Sequence, residues 1–214
     1  NFVFQSALFM ENKNYQEDLQ HIRKMMEKSS RFISLSGISG VFAGLFALAG
    51  AIYVYFFFKK NGVDYFEGTV KYYEKDFIVH LVIVAMIIMV LAISSGAYFT
   101  IKKSKAHHLQ IWDATTKKLL YNFAIPLGIG GLFCAGLLYH GLHGLLSPAT
   151  LIFYGLALFN AGNYTFSDIK YLGLCEMALG IVSLFFLGYG LFFWAIGFGV
   201  LHIVYGLIMH KKYK

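Results

Sequence analysis

The sequence predicts an all-α transmembrane protein, a six-helix bundle made of three helical hairpins, with both termini in the cytoplasm and an amphipathic N-terminal helix. Composition is the first reason, since 58% of the 214 residues are hydrophobic and 14% are charged, against about 25% charged in an ordinary soluble domain. The second is patterning, because the charges fall in short blocks that leave uncharged stretches of about twenty residues, the length of a membrane-spanning helix. The third is an internal repeat.

The chain opens with two segments outside the membrane domain. Residues 1–9 (NFVFQSALF) precede a natural start at Met10, and their first six residues resemble the remnant of a protease site, so we exclude them from the fold. Residues 10–31 place apolar side chains at helical spacing among charged ones, which predicts an amphipathic helix on the cytoplasmic surface. Those side chains are Tyr15, Leu19, Ile22 and Met26. No secretory signal peptide is expected, because the first apolar stretch is too long for one.

Six apolar stretches make up the predicted membrane domain, residues 32–209, and a basic tail, residues 210–214, follows it. Each stretch is long enough to cross a bilayer as a tilted helix. The predicted spans are 32–58, 77–101, 119–139, 142–162, 169–188 and 191–209.

The distribution of basic residues predicts the orientation of these spans. With the N-terminus inside, 14 of the 18 Lys and Arg residues fall in cytoplasmic segments, and the other four lie in an outer loop that also carries acidic residues. Because Lys and Arg collect in cytoplasmic loops, both termini are expected inside a cell membrane, and a bacterial inner membrane fits best. The same excess explains the net charge of +7. It favours anionic lipid headgroups as partners, and no nucleic-acid partner is expected.

Self-similarity between segments predicts the hairpins. Residues 127–136 (LGIGGLFCAG) align without gaps with residues 179–188 (LGIVSLFFLG), and residues 152–156 (IFYGL) match residues 203–207 (IVYGL). A fainter echo occurs in the first two spans. These matches lie at corresponding places in successive span pairs, so they predict three hairpins of the same orientation. The alternative is chance similarity among glycine-rich apolar segments, in which glycines serve close helix packing.

The Gly-Ile, Leu-Phe and Gly cadence of these hairpins resembles that of the HdeD-type acid-resistance membrane proteins, which also have six spans. The last four spans carry the resemblance, whereas the polar N-terminal helix and the sizeable outer loop depart from it. The resemblance implies a stress-linked membrane protein. It transfers no functional residue to this chain.

Two ionisable residues are predicted to meet within the membrane. Glu176 lies thirteen residues before Tyr189, in the turn between the last two spans, and His202 lies thirteen residues after it. An antiparallel hairpin therefore sets Glu176 and His202 at the same depth. Ionisable groups at such depth are costly, so the pair is either a proton-accepting site on a transport path or a structural interhelical hydrogen bond.

Three histidines are predicted near the outer ends of the spans. His140 and His143 have the i, i+3 spacing that puts two imidazoles on one helix face, and His80 begins the second span. If the three converge, they form a zinc or copper site; otherwise they are interfacial residues. Cys134 and Cys175 both lie inside apolar segments, so the sequence supports neither a disulfide framework nor a thiolate metal site. No cofactor is assigned.

Three classes of function remain open at this stage. The sequence favours a non-enzymatic integral membrane protein, linked to stress or acting through a protein partner, a homo-oligomer or the bilayer. The first alternative is a small proton-coupled transporter or channel that uses Glu176 and His202. The second is a metal-binding or haem-binding membrane protein that uses the outer histidines. The sequence holds no phosphate-binding loop, Ser-His-Asp arrangement or HExxH motif that would point to an enzyme.

Overall fold

The computed structural model describes residues 36–63, 74–106 and 111–213, which are almost entirely helical and include no strand. The all-α class is therefore confirmed for these residues. The predicted remnant at residues 1–9, the predicted amphipathic helix at residues 10–31 and most of the outer loop lie outside the described ranges.

The described residues form six helices, numbered here in chain order. They are α1 (Gly37–Lys60), α2 (Lys75–Ala106), α3 (Ala114–Tyr139), α4 (Leu146–Ala161), α5 (Asp168–Leu184) and α6 (Leu187–Lys212). A 3₁₀ turn, His143–Leu145, precedes α4, and α6 begins with another, Leu187–Tyr189. The middle of α6, Ala195–Leu201, is π-helical.

Five of these helices are long and apolar enough to cross a membrane: α1, α2, α3, α6, and α4 together with its preceding turn. Helix α5 is the exception. Its 17 residues span about 25 Å at 1.5 Å per residue, against a hydrocarbon core of about 30 Å. The sequence extended this span to Gly188, but the α-helix ends at Leu184. The finding is thus a multi-helix membrane protein with five helices of spanning length rather than six.

The helices run antiparallel to their principal neighbours. The beginning of α1 lies against the end of α6, and the end of α1 lies against the beginning of α2. Helix α4 packs between α3 and α5, and its beginning also meets the beginning of α6. One end of the bundle, here called the tail end, therefore holds Gly37, Ala106, Asp168 and Lys212. The opposite end, the loop end, holds the connections α1–α2, α3–α4 and α5–α6.

Glycines set the closest helix contacts. A Cβ at Gly155 of α4 would lie 2.6 Å from the carbonyl oxygen of Gly173 of α5, and the reverse distance is also 2.6 Å. Between α1 and α6, a Cβ at Gly44 would lie 2.6 Å from the carbonyl oxygen of Gly199. Only glycine permits backbones to approach this closely, and such contacts replace the hydrophobic effect as the cohesive force between helices in lipid.

Two glycines of the repeated segment 127–136 make no such contact. A Cβ at Gly128 or Gly131 of α3 would meet no described atom within 4 Å. Both lie on the face of α3 turned away from α4, whereas Gly130, between them, lies directly against Phe153. Helices α3 and α5 therefore have the same glycine pattern in sequence but do not use these glycines for the same helix contacts.

Candidate functional site

A cluster of three polar side chains occupies the middle of the bundle. Glu176 comes from the centre of α5, His202 from α6 and Tyr154 from the centre of α4. The Glu176 side chain is fully buried, and His202 is buried as well. Two of the three are the residues that hairpin geometry predicted at one depth, and the structure brings their side chains together. Sequence reasoning missed Tyr154.

The imidazole of His202 joins the three side chains. Its Nε2 lies 2.8 Å from the hydroxyl of Tyr154, and its Nδ1 lies 3.0 Å from the carbonyl oxygen of Gly197. A carbonyl oxygen accepts hydrogen bonds and never donates them, so Nδ1 must carry a hydrogen. In a neutral imidazole, Nε2 then accepts the hydrogen bond that Tyr154 donates.

The carboxyl group of Glu176 lies close to the imidazole of His202 but is not aligned for a hydrogen bond with it. Its Oε1 lies 3.3 Å from Nδ1 of His202, but the Nδ1 hydrogen points towards Gly197. Neither carboxyl oxygen receives a well-aligned hydrogen bond from the described residues. An ionised carboxylate in such a place needs the imidazolium as its counter-ion, because an unpaired buried charge costs several kcal/mol.

The π-helical stretch of α6 shapes this site. Within it, Gly197 supplies the carbonyl oxygen that accepts from His202, five residues further along. A Cβ at Gly197 would lie 2.5 Å from Oε2 of Glu176 and 2.5 Å from the side chain of Leu151. A Cβ at this position would therefore displace the carboxyl group of Glu176 and the side chain of Leu151, and glycine lets α6 lie directly against both. Such π-helical turns concentrate at functional positions in proteins.

Aromatic rings cover the side of the cluster that faces the loop end. The ring of Phe198 stacks on that of His202 at 6.0 Å and lies tilted against that of Tyr154 at 4.9 Å. The ring of Trp194 lies tilted against that of Phe198, also at 4.9 Å. Leu151, fully buried, fills the space beside Gly197. The polar cluster is thus enclosed by rings and by glycine-mediated backbone contacts.

The cluster can hold one proton in two ways without changing its net charge. A protonated Glu176 can face a neutral imidazole, or a carboxylate can face an imidazolium. In both states Nδ1 keeps the hydrogen that Gly197 accepts. In the second state Nε2 donates to the oxygen of Tyr154, whose hydroxyl both donates and accepts. The site is therefore suited to keeping a proton within the bundle.

The three outer histidines lie apart in separate surroundings. His80 of α2 stacks at 4.3 Å on Phe57, with its Nε2 2.9 Å from the hydroxyl of Tyr53. His140 contacts the ring of Tyr139 edge-on, and His143 lines a cavity at the loop end. Among the described residues, no group of three His, Cys, Asp or Glu side chains gathers as it would around a metal ion. The convergence that a metal site requires is therefore not seen.

A second polar cluster ties helix ends together at the tail end. The carboxylate of Asp168, which begins α5, accepts hydrogen bonds from Nζ of Lys212 at 2.8 and 2.9 Å and from the hydroxyl of Tyr213 at 2.5 Å. Burial alone would raise the pKa of Asp168, but the hydrogen bonds from Lys212 and Tyr213 outweigh it and lower the pKa below its ordinary value. Nζ of Lys103, near the end of α2, donates to the carbonyl oxygen of Tyr213.

Comparisons of the chain with protein-family models, with curated proteins and with solved structures give no match. A signal for Tyr154 was present in the repeat, because the matched segments IFYGL and IVYGL place Tyr154 and Tyr205 at equivalent positions. A polar residue that recurs in two apolar helices points inward, as both of these tyrosines do.

Proposed function

We propose that this chain is a six-span protein of a bacterial inner membrane, in which the shorter helix α5 is also a span, with both termini in the cytoplasm and no enzymatic role. It acts through a protein partner or through the bilayer in a stress response, as the HdeD-like cadence of its hairpins implies. The basic residues at the tail end support this orientation, because Lys102, Lys103 and Lys105 of α2 lie at the same end of the bundle as Lys211 and Lys212.

The observation that carries the proposal is the closed surroundings of Glu176 and His202. A residue on a transport path needs access to water, whereas the Glu176 side chain is fully buried and Gly197 lies against its carboxyl group. The cavity at the loop end is not lined by Glu176, His202 or Tyr154. The pair therefore works as a lock, a buried polar contact that fixes α5 and α6 in register across the middle of the bundle.

The proposal is tested by Glu176→Gln, which keeps the size of the side chain and removes its acid–base chemistry. Interhelical polar contacts in membranes contribute about 0.6–1.7 kcal/mol, and 1 kcal/mol shifts the Tm of a chain this long by about 2–4 °C. We expect the Tm of the purified variant to fall by about 2–6 °C. Glu74→Gln, at an exposed position before α2, is the matched control and should leave the Tm unchanged.

A transport role is the second candidate, and one observation favours it. The groups Tyr154, His202 and Glu176 come from three helices and lie in sequence, the hydroxyl hydrogen-bonded to the imidazole and the carboxyl group 3.3 Å from it, beside a π-helical stretch. Such a chain can relay a proton if a conformational change admits water. Proton flux into vesicles loaded with a pH-sensitive dye distinguishes the candidates. A flux that disappears in Glu176→Gln, while the Tm stays at the wild-type value, would establish transport and overturn the lock.

A further inference from the structure

A cavity of about 470 Å³ lies at the loop end of the bundle. Helices α1 and α2 form one wall, and α3, α4 and the first turn of α6 form the other. Its volume falls within the range of about 300–1,000 Å³ that is usual for small-molecule sites. Gly50, Ala51 and Ala85 lie along its walls, and their small side chains leave the space open.

The described residues that line the cavity include no Asp, Glu, Lys or Arg, and His143 is the one residue of a basic type among them. Most of the surface is formed by aliphatic side chains such as Val54, Leu81 and Ile88. A cationic ligand would lose its hydration here without gaining a counter-ion, at a cost of several kcal/mol, and an anionic one would have a single imidazole to face in an otherwise apolar lining. The occupant must therefore be uncharged and mostly hydrocarbon.

Two hydroxyl groups give the cavity one polar corner. Ser147 donates to the carbonyl oxygen of Gly190 at 2.5 Å, and Thr150 donates to the carbonyl oxygen of Ser147 at 2.9 Å. A hydroxyl has one hydrogen to donate and two lone pairs to accept with. Because both hydrogens are already used, the two hydroxyl oxygens are left as acceptors. A ligand group that donates a hydrogen bond matches this corner.

The position of the cavity indicates where its occupant comes from. Helix α2 packs on α1, and α3 packs on α4, whereas α2 and α3 have at most slight contact among the described residues, so the two walls meet along a seam between α2 and α3. All four helices are of membrane-spanning length and hydropathy. The medium beside the seam between the walls is therefore the lipid phase. A molecule that dissolves in the bilayer reaches the cavity without crossing water.

We propose that this cavity binds a neutral amphiphile drawn from the bilayer, with a hydrocarbon body and a single hydroxyl head. The hydrocarbon lies along α1 and α2. The hydroxyl donates to the oxygen of Ser147 or Thr150. This site is separate from the Glu176–His202 pair and does not depend on the function proposed for it.

The fluorescence of Trp194 reports on occupancy, because its ring lines the cavity. The chain has one other tryptophan, Trp112, which is highly exposed, and Trp112→Phe removes its signal. The full chain with this substitution is placed in lipid nanodiscs and titrated with undecanol that carries bromine at the end away from its hydroxyl group. Bromine quenches tryptophan fluorescence. Bromoundecane, which lacks the hydroxyl group, is the control. We expect the alcohol to quench the fluorescence of Trp194 saturably. Its half-saturating concentration should be about three- to tenfold lower than that of bromoundecane, which is the gain in affinity from one neutral hydrogen bond.

Two substitutions on the same helix separate binding from simple partitioning into lipid. Val84 lines the cavity, whereas Val90, two turns further along α2, lies on an exposed face outside it. Val84→Phe should raise the half-saturating concentration at least about tenfold, equivalent to about 1.4 kcal/mol, while Val90→Phe should leave it unchanged. Ala85→Phe, also at the cavity wall, replaces Val84→Phe if that variant does not yield folded protein.

The polar corner has its own variant. The double variant Ser147→Ala and Thr150→Val removes both acceptors with little change of shape, so the preference for the alcohol over bromoundecane should fall towards equality. Quenching that rises linearly without saturation, or that responds equally to Val84→Phe and Val90→Phe, would overturn the site. A preference for the alcohol that the double variant leaves intact would overturn the assignment of the hydroxyl head.

Discussion

Helices α2 and α4 are both apolar enough to span a membrane, yet they are held in place in different ways. In its most hydrophobic 18-residue window, α2 has a mean hydropathy of 3.0 and no buried residue, whereas the window of α4 and its preceding turn has a mean hydropathy of 1.4 and 39% of its residues buried. The more hydrophobic helix is the peripheral one. Helix α4 is held by glycine contacts and by Tyr154, and α2 presents most of its surface to lipid.

Helices α2 and α4 differ in burial because the surrounding medium is lipid rather than water. Lipid tails are as apolar as leucine, so burying an apolar helix among other helices gains little, and close packing and polar contacts decide which helices form the core. Helix α4 offers both, through Gly155 against Gly173 and through the hydroxyl of Tyr154 on His202. The predictions below compare sites in the glycine-packed core, α4–α5–α6, with sites outside it.

The largest effect is expected at the contact between α4 and α5. In Gly173→Ala the new Cβ would lie 2.6 Å from the carbonyl oxygen of Gly155 and 2.8 Å from the backbone nitrogen of Phe159, neither of which can move without separating the helices. We expect a loss of about 3 kcal/mol, the upper end of typical overpacking costs, and a fall in Tm of about 6–12 °C. Gly128→Ala on α3 is the control, with open space at the Cβ. Equal melting of the two variants would contradict the role of glycine packing.

A smaller effect is expected from Tyr154→Phe. Removing the hydroxyl leaves Nε2 of His202 buried without its donor, at a cost of about 1–2 kcal/mol. Tyr205→Phe is a matched control at the equivalent repeat position, because the hydroxyl of Tyr205 is buried and has no hydrogen-bond partner among the described residues. Thermal unfolding followed by circular dichroism should show a lower Tm for Tyr154→Phe alone. A loss in both variants would mean that ring packing, not the hydrogen bond, is responsible.

The cluster at the tail end should contribute less, and its contribution should depend on pH. The pKa of Asp168 is lowered in the folded protein, so its stabilising effect is complete above the ordinary carboxyl value of about 4 and is lost as pH falls through the folded value. Asp168→Asn should therefore lower the Tm slightly at pH 7, and the difference from wild type should vanish in strong acid. Unfolding measured across this pH range checks the prediction; a difference that grows on acidification would refute it.

The smallest effect is expected on the lipid-facing surface of α2. Ile93 is 63% exposed in the bundle, so its side chain contacts lipid rather than protein. Ile93→Ala should change the free energy of unfolding by no more than about 0.5 kcal/mol. A steric-trap or denaturant titration in bilayers measures this quantity. A loss comparable to that of Tyr154→Phe would show that another chain covers α2.

The sequence was sufficient to predict the features that depend on the length of apolar segments and on the number of residues between a turn and a side chain. Five predicted spans correspond to helices of spanning length, and counting from the turn at Tyr189 led to Glu176 and His202. The sequence was not sufficient to predict features that depend on how each helix is rotated about its own axis. The π-helical stretch at Gly197 and the partnership of Tyr154 both require knowledge of which faces meet. Likewise, the spacing of His140 and His143 could not show whether His80 joins them, and the described residues include no group of three that could hold a metal ion.

The length of α5 and the contacts of individual glycines could not be predicted from the sequence either. Residues 169–188 read as one apolar stretch, but the chain leaves the α-helix after Leu184 and turns before α6, which shortens α5. Gly128 and Gly180 occupy equivalent positions in the repeat, yet only Gly180 packs closely, against Ile152 and Pro148 of α4. Glycine spacing identifies a helix face suited to close contact, whereas the neighbour that covers it is decided by the whole bundle.

The central claim is that Glu176 and His202 form a closed polar lock, and the position of water around them tests it most directly. High-resolution cryo-electron microscopy of the chain in lipid nanodiscs can locate ordered water molecules at this depth. The account predicts no water within hydrogen-bonding distance of the carboxyl group of Glu176. A file of water molecules connecting Glu176 to either membrane surface would contradict the lock and would make proton transport the better explanation of the pair.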